Sequence, residues 1–356
     1  MKGTDVLKKL DNGTIEDKLS IARDLSLISK DDLNSVFNAI INMYEREVRI
    51  YASEQINLCP NIYSQFLADP DPQVRANIIK EAPWIRKALN STDIVDQVCK
   101  LSKDSSFIVR SAVAKILFKL SEKDEKADFE QKIVPVLKTL LSDESDEVRI
   151  QASLNLFPLT TEYGFDFLFE HFSSSIQSMI DDSQWRLRLC AIGIFSSLGT
   201  VSDATFVNAN LLPFFKRSIH DYSACVREAV AKGLIAIANH LGYQWVKNSL
   251  ILTIQNLSNS PNYLDRQFYL RVMPDLIAFY PKQYQSNMYQ QLIRMLHDPV
   301  YCVVYAALDI LSQHLNHIHP FRLQHELKPT LQTLLNSNSP TSINEKAEKI
   351  VALLNH

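Results

Sequence analysis

Asp182-Ser183-Gln184-Trp185-Arg186-Leu187-Arg188 is one copy of a pattern that recurs at fixed spacing. In it an acid precedes an arginine by six positions, the arginine follows an aliphatic residue, and an apolar run with helical spacing begins at once. Arg110, Arg149, Arg188, Arg227 and Arg266 occupy that place, and the intervals 149−110, 188−149, 227−188 and 266−227 are each 39. With a fixed internal period each unit packs on its neighbours, so the 356 residues read as one elongated stack rather than two globular domains.

The units are helical. Apolar positions at −1, +3 and +7 from the arginine recur as Val148, Ala152 and Leu156, then Leu187, Ala191 and Phe195, then Val226, Val230 and Leu234. That spacing puts them on one face of a helix, which must be buried against a partner. In the unit around Arg227, residues 205–219 form a first helix, His220-Asp221-Tyr222-Ser223 the turn, and Ala224 to about His240 the second helix. Gly164, Gly199 and Gly242 fall where left-handed C-caps are wanted. Earlier copies are EREVRIYASEQI around Arg49 and DPDPQVRANIIKEA around Arg75, at shorter intervals, and Lys18 is the nearest equivalent before them. At the other end Val304 and then Asn344, with Asn338 at the acid place, are degenerate copies, as expected of terminal repeats. The expectation is an all-α solenoid of nine or ten helical hairpins, with 1–45 a degenerate N-terminal repeat or cap, 46–356 the solenoid, and 181–356 its late repeats.

Composition excludes several classes. A net charge of −3 without a Lys/Arg stripe gives no nucleic-acid footprint. Cys59, Cys99, Cys190, Cys225 and Cys302 lack CxxC or metal-ligand spacing, so neither a disulfide framework nor a zinc site is expected. No apolar run approaches the ~18 residues of a membrane helix, and the N-terminal MKGTDVLKKLDNG has no signal-peptide core. The reading is a soluble protein of cytoplasm, with the nucleus a second location. Catalytic motifs are missing, and the clustered His314, His317 and His319 lack further ligands. No enzyme, cofactor or metal is expected.

The repeating charges match the HEAT-repeat pattern, in which a turn acid and an arginine in the first turn of the next helix pair along one edge and a proline interrupts the first helix. Here the acids are Asp69, Asp104, Asp143, Asp182, Asp221 and Asp298, and the prolines Pro135, Pro213 and Pro329. Asp104, Arg110, Asp143, Arg149, Asp182, Arg188, Asp221 and Arg227 are therefore assigned to a structural ladder, for which bidentate carboxylate–guanidinium geometry is suited. HEAT-type metal hydroxylases need several His-Glu pairs. This chain has only His325-Glu326.

Some turn residues are not required by the ladder: Trp185, then Tyr222 and Cys225, then Pro261-Asn262-Tyr263, then Pro299-Val300-Tyr301. Large aromatics at turns either pack locally or dock a partner. From about residue 130 onward the chain resembles the C-terminal part of the scaffold (A) subunit family of protein phosphatase 2A, through KIVPVLKTLLSDESDEVRIQAS, DSQWRLRLCAIGIF, VREAVAKGL, HLGYQWVKNSLI, SNSPNYLDR, HDPV and LQHELKPTLQTL. The resemblance implies a non-catalytic scaffold whose late turns hold a serine/threonine phosphatase catalytic subunit. Carried over, Trp185, Arg186, Tyr222, Asn262, Tyr263 and Arg266 would be the partner-binding residues, with Pro299, Val300 and Tyr301 added by position. Such a scaffold also receives a regulatory B-type subunit on its early repeats, and this chain would begin near the sixth of fifteen, so most of that platform would be absent. The alternative is a HEAT adaptor for nuclear transport or another complex, with no nucleic-acid or membrane partner in either case.

Overall fold

The computed structural model describes residues 3–121, 125–280, 282–337 and 339–354. Among them every regular element is a helix; within the two units the helices pair as nine hairpins, 3–23, 30–53, 60–89, 93–121, 126–163, 204–241, 243–277, 282–314 and 320–354, and the helices of 165–199 carry the boundary between the units. Asn338 lies outside the described residues. The chain forms two compact units, Met1–Cys190 and Ala191–His356. The boundary expected at 45/46 falls within a hairpin turn, between the helices Lys30–Ile41 and Arg46–Ser53.

One turn design is used throughout, and its acid acts locally first. Asp69 Oδ1 accepts from Asp71 N at 2.8 Å, Asp104 from Ser106 N at 2.9 Å, Asp143 from Ser145 N at 2.9 Å and Asp182 from Gln184 N at 2.8 Å. In the second unit Asp221 accepts from Ser223 N at 2.8 Å and Asp298 from Val300 N at 2.9 Å. This Asx turn satisfies a backbone donor that the incoming helix would otherwise leave orphaned.

The arginine six residues on closes the same turn. Arg149 Nη1 donates to Asp143 O and Glu144 O at 2.9 and 3.2 Å, and Arg75, Arg110, Arg188, Arg227 and Arg266 repeat the arrangement. Its remaining nitrogens face the next turn. Arg49 meets Asp69, Arg75 meets Asp104, Arg110 meets Asp143 and Arg149 meets Asp182 at N···O distances of 2.8, 2.8, 2.7 and 3.0 Å. In the second unit Arg266 meets Asp298 at 2.5 Å. At the degenerate start Lys18 reaches Glu45, 2.7 Å away. So Arg49, Arg75, Arg110, Arg149 and Arg266 are each bound to two consecutive turns, which ties the register of those hairpins.

The ladder is partly desolvated, which gives it a pH dependence. Burial pushes the Asp143 carboxyl up, but the hydrogen bonds from Arg110 and Ser145 N–H, together with the charges of Arg110 and Arg149, outweigh it and hold the group below the ordinary carboxyl value. A depressed folded pKa gives stability that is full above the unfolded value of ~3.9 and is lost as pH falls through the folded one. Asp143→Asn is therefore expected to be about 1–2 kcal/mol less stable than wild type at pH 7, with the gap narrowing at pH 3. Urea midpoints of both proteins at the two pH values measure this, and a gap that widens in acid contradicts it.

The apolar faces predicted from the −1, +3 and +7 positions are buried in both units, with Val148, Ala152 and Leu156 in the first and Val226, Val230 and Leu234 in the second. Each buried aliphatic side chain contributes about 1.5–3 kcal/mol. Wide π-type turns at 129–133, 207–211 and 323–327 directly precede Pro135, Pro213 and Pro329. Proline lacks the N–H and collides with the carbonyl four residues back, which loosens the turn before it. A fourth wide turn, Val246–Leu250, has no such proline, so the bend belongs to the repeat and proline only suits it.

Gly164 and Gly242 have φ of 82° and 77°, the left-handed region that favours glycine, and they separate consecutive helices. Gly199 has another role: a Cβ there would lie 2.5 Å from Ile237 Cδ1, so the helices pack too closely for a side chain. Asn155 ties neighbouring hairpins in the first unit. Its Nδ2 donates to Ala114 O at 2.8 Å and its Oδ1 accepts from Phe118 N at 3.0 Å, so the carboxamide inserts into the hydrogen-bond run of the helix Phe107–Ser121.

Candidate functional site

The turns end one residue earlier than the sequence suggested. Because Asp182 binds Gln184 N, the chain is already helical at Trp185, which begins the helix Trp185–Gly199. Tyr263 and Tyr301 likewise begin the helices Tyr263–Ile277 and Tyr301–His314. All three stand three places after the acid position: 185−182, 263−260 and 301−298 are each 3. Phe107, which sequence reasoning missed, holds the same place after Asp104 (107−104 = 3) and begins its helix too. The first residue of the second helix is thus a recurrent aromatic position.

These rings are not core residues. Phe107 is 49% exposed, Tyr263 42% and Tyr301 48%. Trp185 is half-buried and the Arg186 guanidinium lies 4.8 Å from its ring centroid, so one face is already covered by its own neighbour. Cation–π packing of this kind contributes about 0.5–1 kcal/mol at an exposed site. Tyr222 is different: it sits one place after Asp221, within the turn, and is 97% exposed. Tyr44 is 98% exposed in an early turn, where Arg49 Nη1 donates to Tyr44 O. The signal that could have found Tyr44 was Arg49 itself, whose turn lies five and six residues before it.

In the second unit the turns 258–263 and 294–300 enclose a groove of ≈ 590 Å³. It is lined by Tyr263, Arg266, Pro299 and Val300 from the expected partner-binding set, joined by Pro261, Arg294 and His297, which that set did not include. Asn262 is a helix cap, its Oδ1 accepting from Leu264 N at 3.1 Å. Arg266 takes part in the ladder: Nε and Nη2 donate to Asp298 at 2.5 and 2.8 Å, and the hydrogen bond to Asp298 is the main reason its pKa is raised. Arg266 thus forms a ladder rung and also lines the groove. Trp185 and Arg186 belong to the first unit.

The candidate metal residues have other roles. His319 Nδ1 accepts from Phe321 N at 3.2 Å and caps a helix. His314 lies 3.3 Å from Tyr289 OH, and burial followed by the nearby His317 lowers its pKa. Glu326 is paired with Arg322 at 2.7 Å, and His325 stacks on Phe321 with centroids 4.3 Å apart. Among the described residues no group of three His, Cys, Asp or Glu could hold a metal ion. None of the described helices is long and apolar enough to cross a membrane.

Residues 60–156 match the family described as HEAT repeats. Three solved structures similar to the whole chain are nuclear transport proteins. The Kap95p–RanGDP complex aligns with a TM-score of 0.67 at 11% identity, covering 99% of this chain and 48% of that one. Kap121p bound to the extreme C-terminus of the phosphatase Cdc14p gives 0.66 at 15% identity, with 99% and 41% covered. Importin beta gives 0.67 at 11% identity, with 99% and 51% covered. The fold is a HEAT-repeat α-solenoid. At these identities the likeness concerns the fold alone, and the chain spans about half, or less, of each of these proteins. No curated protein matches the chain by sequence.

Proposed function

We propose that the chain is a non-catalytic HEAT-repeat adaptor that docks a protein partner on its turn edge. The observation that carries this is the partly exposed aromatic at the start of four second helices, Phe107, Trp185, Tyr263 and Tyr301, with Tyr263 lining the groove and Tyr301 following Val300 at its rim. Tyrosine and tryptophan at such positions supply most binding energy in protein interfaces because they desolvate a large rigid surface and retain a polar tip. The fold neighbours favour a transport-type adaptor working between cytoplasm and nucleus. One of them is described holding RanGDP and another the extreme C-terminus of a phosphatase. An extended peptide or a small GTPase is thus the partner class for this reading.

A second reading has its own observation. The runs DSQWRLRLCAIGIF and SNSPNYLDR resemble the phosphatase 2A scaffold family, and place Trp185, Tyr263 and Asn262 on the turn edge. It makes a serine/threonine phosphatase catalytic subunit the partner. Titration of the purified chain against a Ran-type GTPase in both nucleotide states, a transport-cargo peptide and a phosphatase 2A-type catalytic subunit separates the two. Binding of the GTPase or the peptide alone supports the first reading, and binding of the catalytic subunit alone replaces it with the second. Binding of none overturns both.

A further inference from the structure

The ladder has a gap in the second unit. Arg227 closes its own turn as the others do, with Nη1 on Asp221 O at 2.6 Å and Tyr222 O at 3.0 Å. Among the described residues its Nε and Nη2 make no hydrogen bond, whereas those of Arg110 and Arg149 bind the aspartate of the next turn. The residue 33 positions on, which is Asp143 for Arg110 and Asp182 for Arg149, is Ser260 (260−227 = 33). Among the described residues Arg227 has no carboxylate partner.

Ser260 otherwise reproduces the acid. Its Oγ accepts from Asn262 N at 3.2 Å, the bond made by the aspartates, and its carbonyl accepts from Arg266 Nη1 at 2.7 Å. Only reach is missing. In aspartate the oxygens that meet arginine lie two bonds beyond Cβ, whereas serine Oγ lies one. A phosphate on Oγ would place oxygens three bonds beyond Cβ. The residue after it is Pro261, and Asn259, Pro261 and Asn262 are exposed around the half-buried Ser260.

We propose that Ser260 is a phosphorylation site for a proline-directed serine/threonine kinase, and that its phosphate completes the ladder by binding Arg227. In the transfer Ser260 Oγ bonds to the γ-phosphorus of a nucleoside triphosphate, the β–γ bridging bond breaks, the nucleoside diphosphate leaves, and the hydroxyl proton is released. The hydroxyl's present hydrogen bond to Asp265 Oδ2, 2.7 Å long, is lost, and Asp265 opposes the new charge. Arg266 already binds the Ser260 carbonyl, and His220 Nδ1 lies 2.8 Å from Asp265 Oδ1. A phosphate facing an arginine makes one to three charge-assisted hydrogen bonds, enough to order a segment. Because Ser260 lines the groove, the same event changes the charge there. The inference does not depend on the docking proposal.

The full-length chain, treated with a proline-directed kinase and ATP, is expected to carry phosphate on Ser260 by tandem mass spectrometry and to melt about 2–4 °C higher. Ser260→Asp is expected to melt above Ser260→Ala by a similar increment, and both increments should vanish in an Arg227→Met background. Absence of phosphate at Ser260 overturns the proposal, as does a modified chain that melts at or below the unmodified one. So does an increment that survives Arg227→Met. The Asp–Ala comparison needs no change at Arg227, so it remains decisive if that variant does not fold.

Discussion

Asp69→Ala is expected to destabilise the first unit by roughly 3–5 kcal/mol, the range found when one partner of a buried ion pair is removed. Asp69 is 3% exposed and Arg49 6%, making this the driest rung of the ladder. The loss has two parts. Arg49 Nε and Nη2 lose the acceptors they now meet at 2.8 and 3.4 Å, and Asp71 N loses the carboxylate that caps it. The surface pair Lys126–Glu130 is the control: 4.0 Å long and 59% and 39% exposed, it should contribute less than ~1 kcal/mol. Urea unfolding followed by circular dichroism reads both. A loss below ~1 kcal/mol at Asp69 would mean that the rung is solvated and does not set register.

The difference between legible and illegible features follows from range. The period was legible because Asp and Arg must stand at fixed offsets to close a turn, and helicity because the −1, +3 and +7 faces must be buried. The second task of each arginine was not legible: Nη1 binding to backbone carbonyls puts no demand on side-chain identity elsewhere, so it leaves no mark in the sequence. Asn155 is invisible for the same reason, since its partners are the main-chain atoms of Ala114 and Phe118. The repeat pattern puts Trp185 in the turn, yet the Asp182–Gln184 hydrogen bond ends the turn first. Phe107 and the gap at Ser260 stand in the same alignment of units and could have been found by reading it column by column. Three places after the acid, four of the seven units carry an aromatic, and at the acid place a serine interrupts a row of aspartates.

Replacing Tyr222, Tyr263 and Tyr301 together by Ala is expected to weaken partner binding by about 100-fold or more, since interface tyrosines that act as hot spots each contribute about 2 kcal/mol, roughly 30-fold, with incomplete additivity. The fold should respond unequally. Tyr222 is 97% exposed and its removal should leave the melting temperature unchanged. Tyr263 and Tyr301 are more than half covered, so some stability goes with them, and Tyr222→Ala alone therefore separates binding from folding. Trp185→Ala is a poorer probe than its sequence position suggests, because stacking on Arg186 makes any loss part structural. Titration against whichever candidate partner binds measures each variant. If the triple variant stays within threefold of wild type while remaining helical, the aromatic positions serve only to seat their own helices, and the docking surface must lie on the helices away from the turn edge.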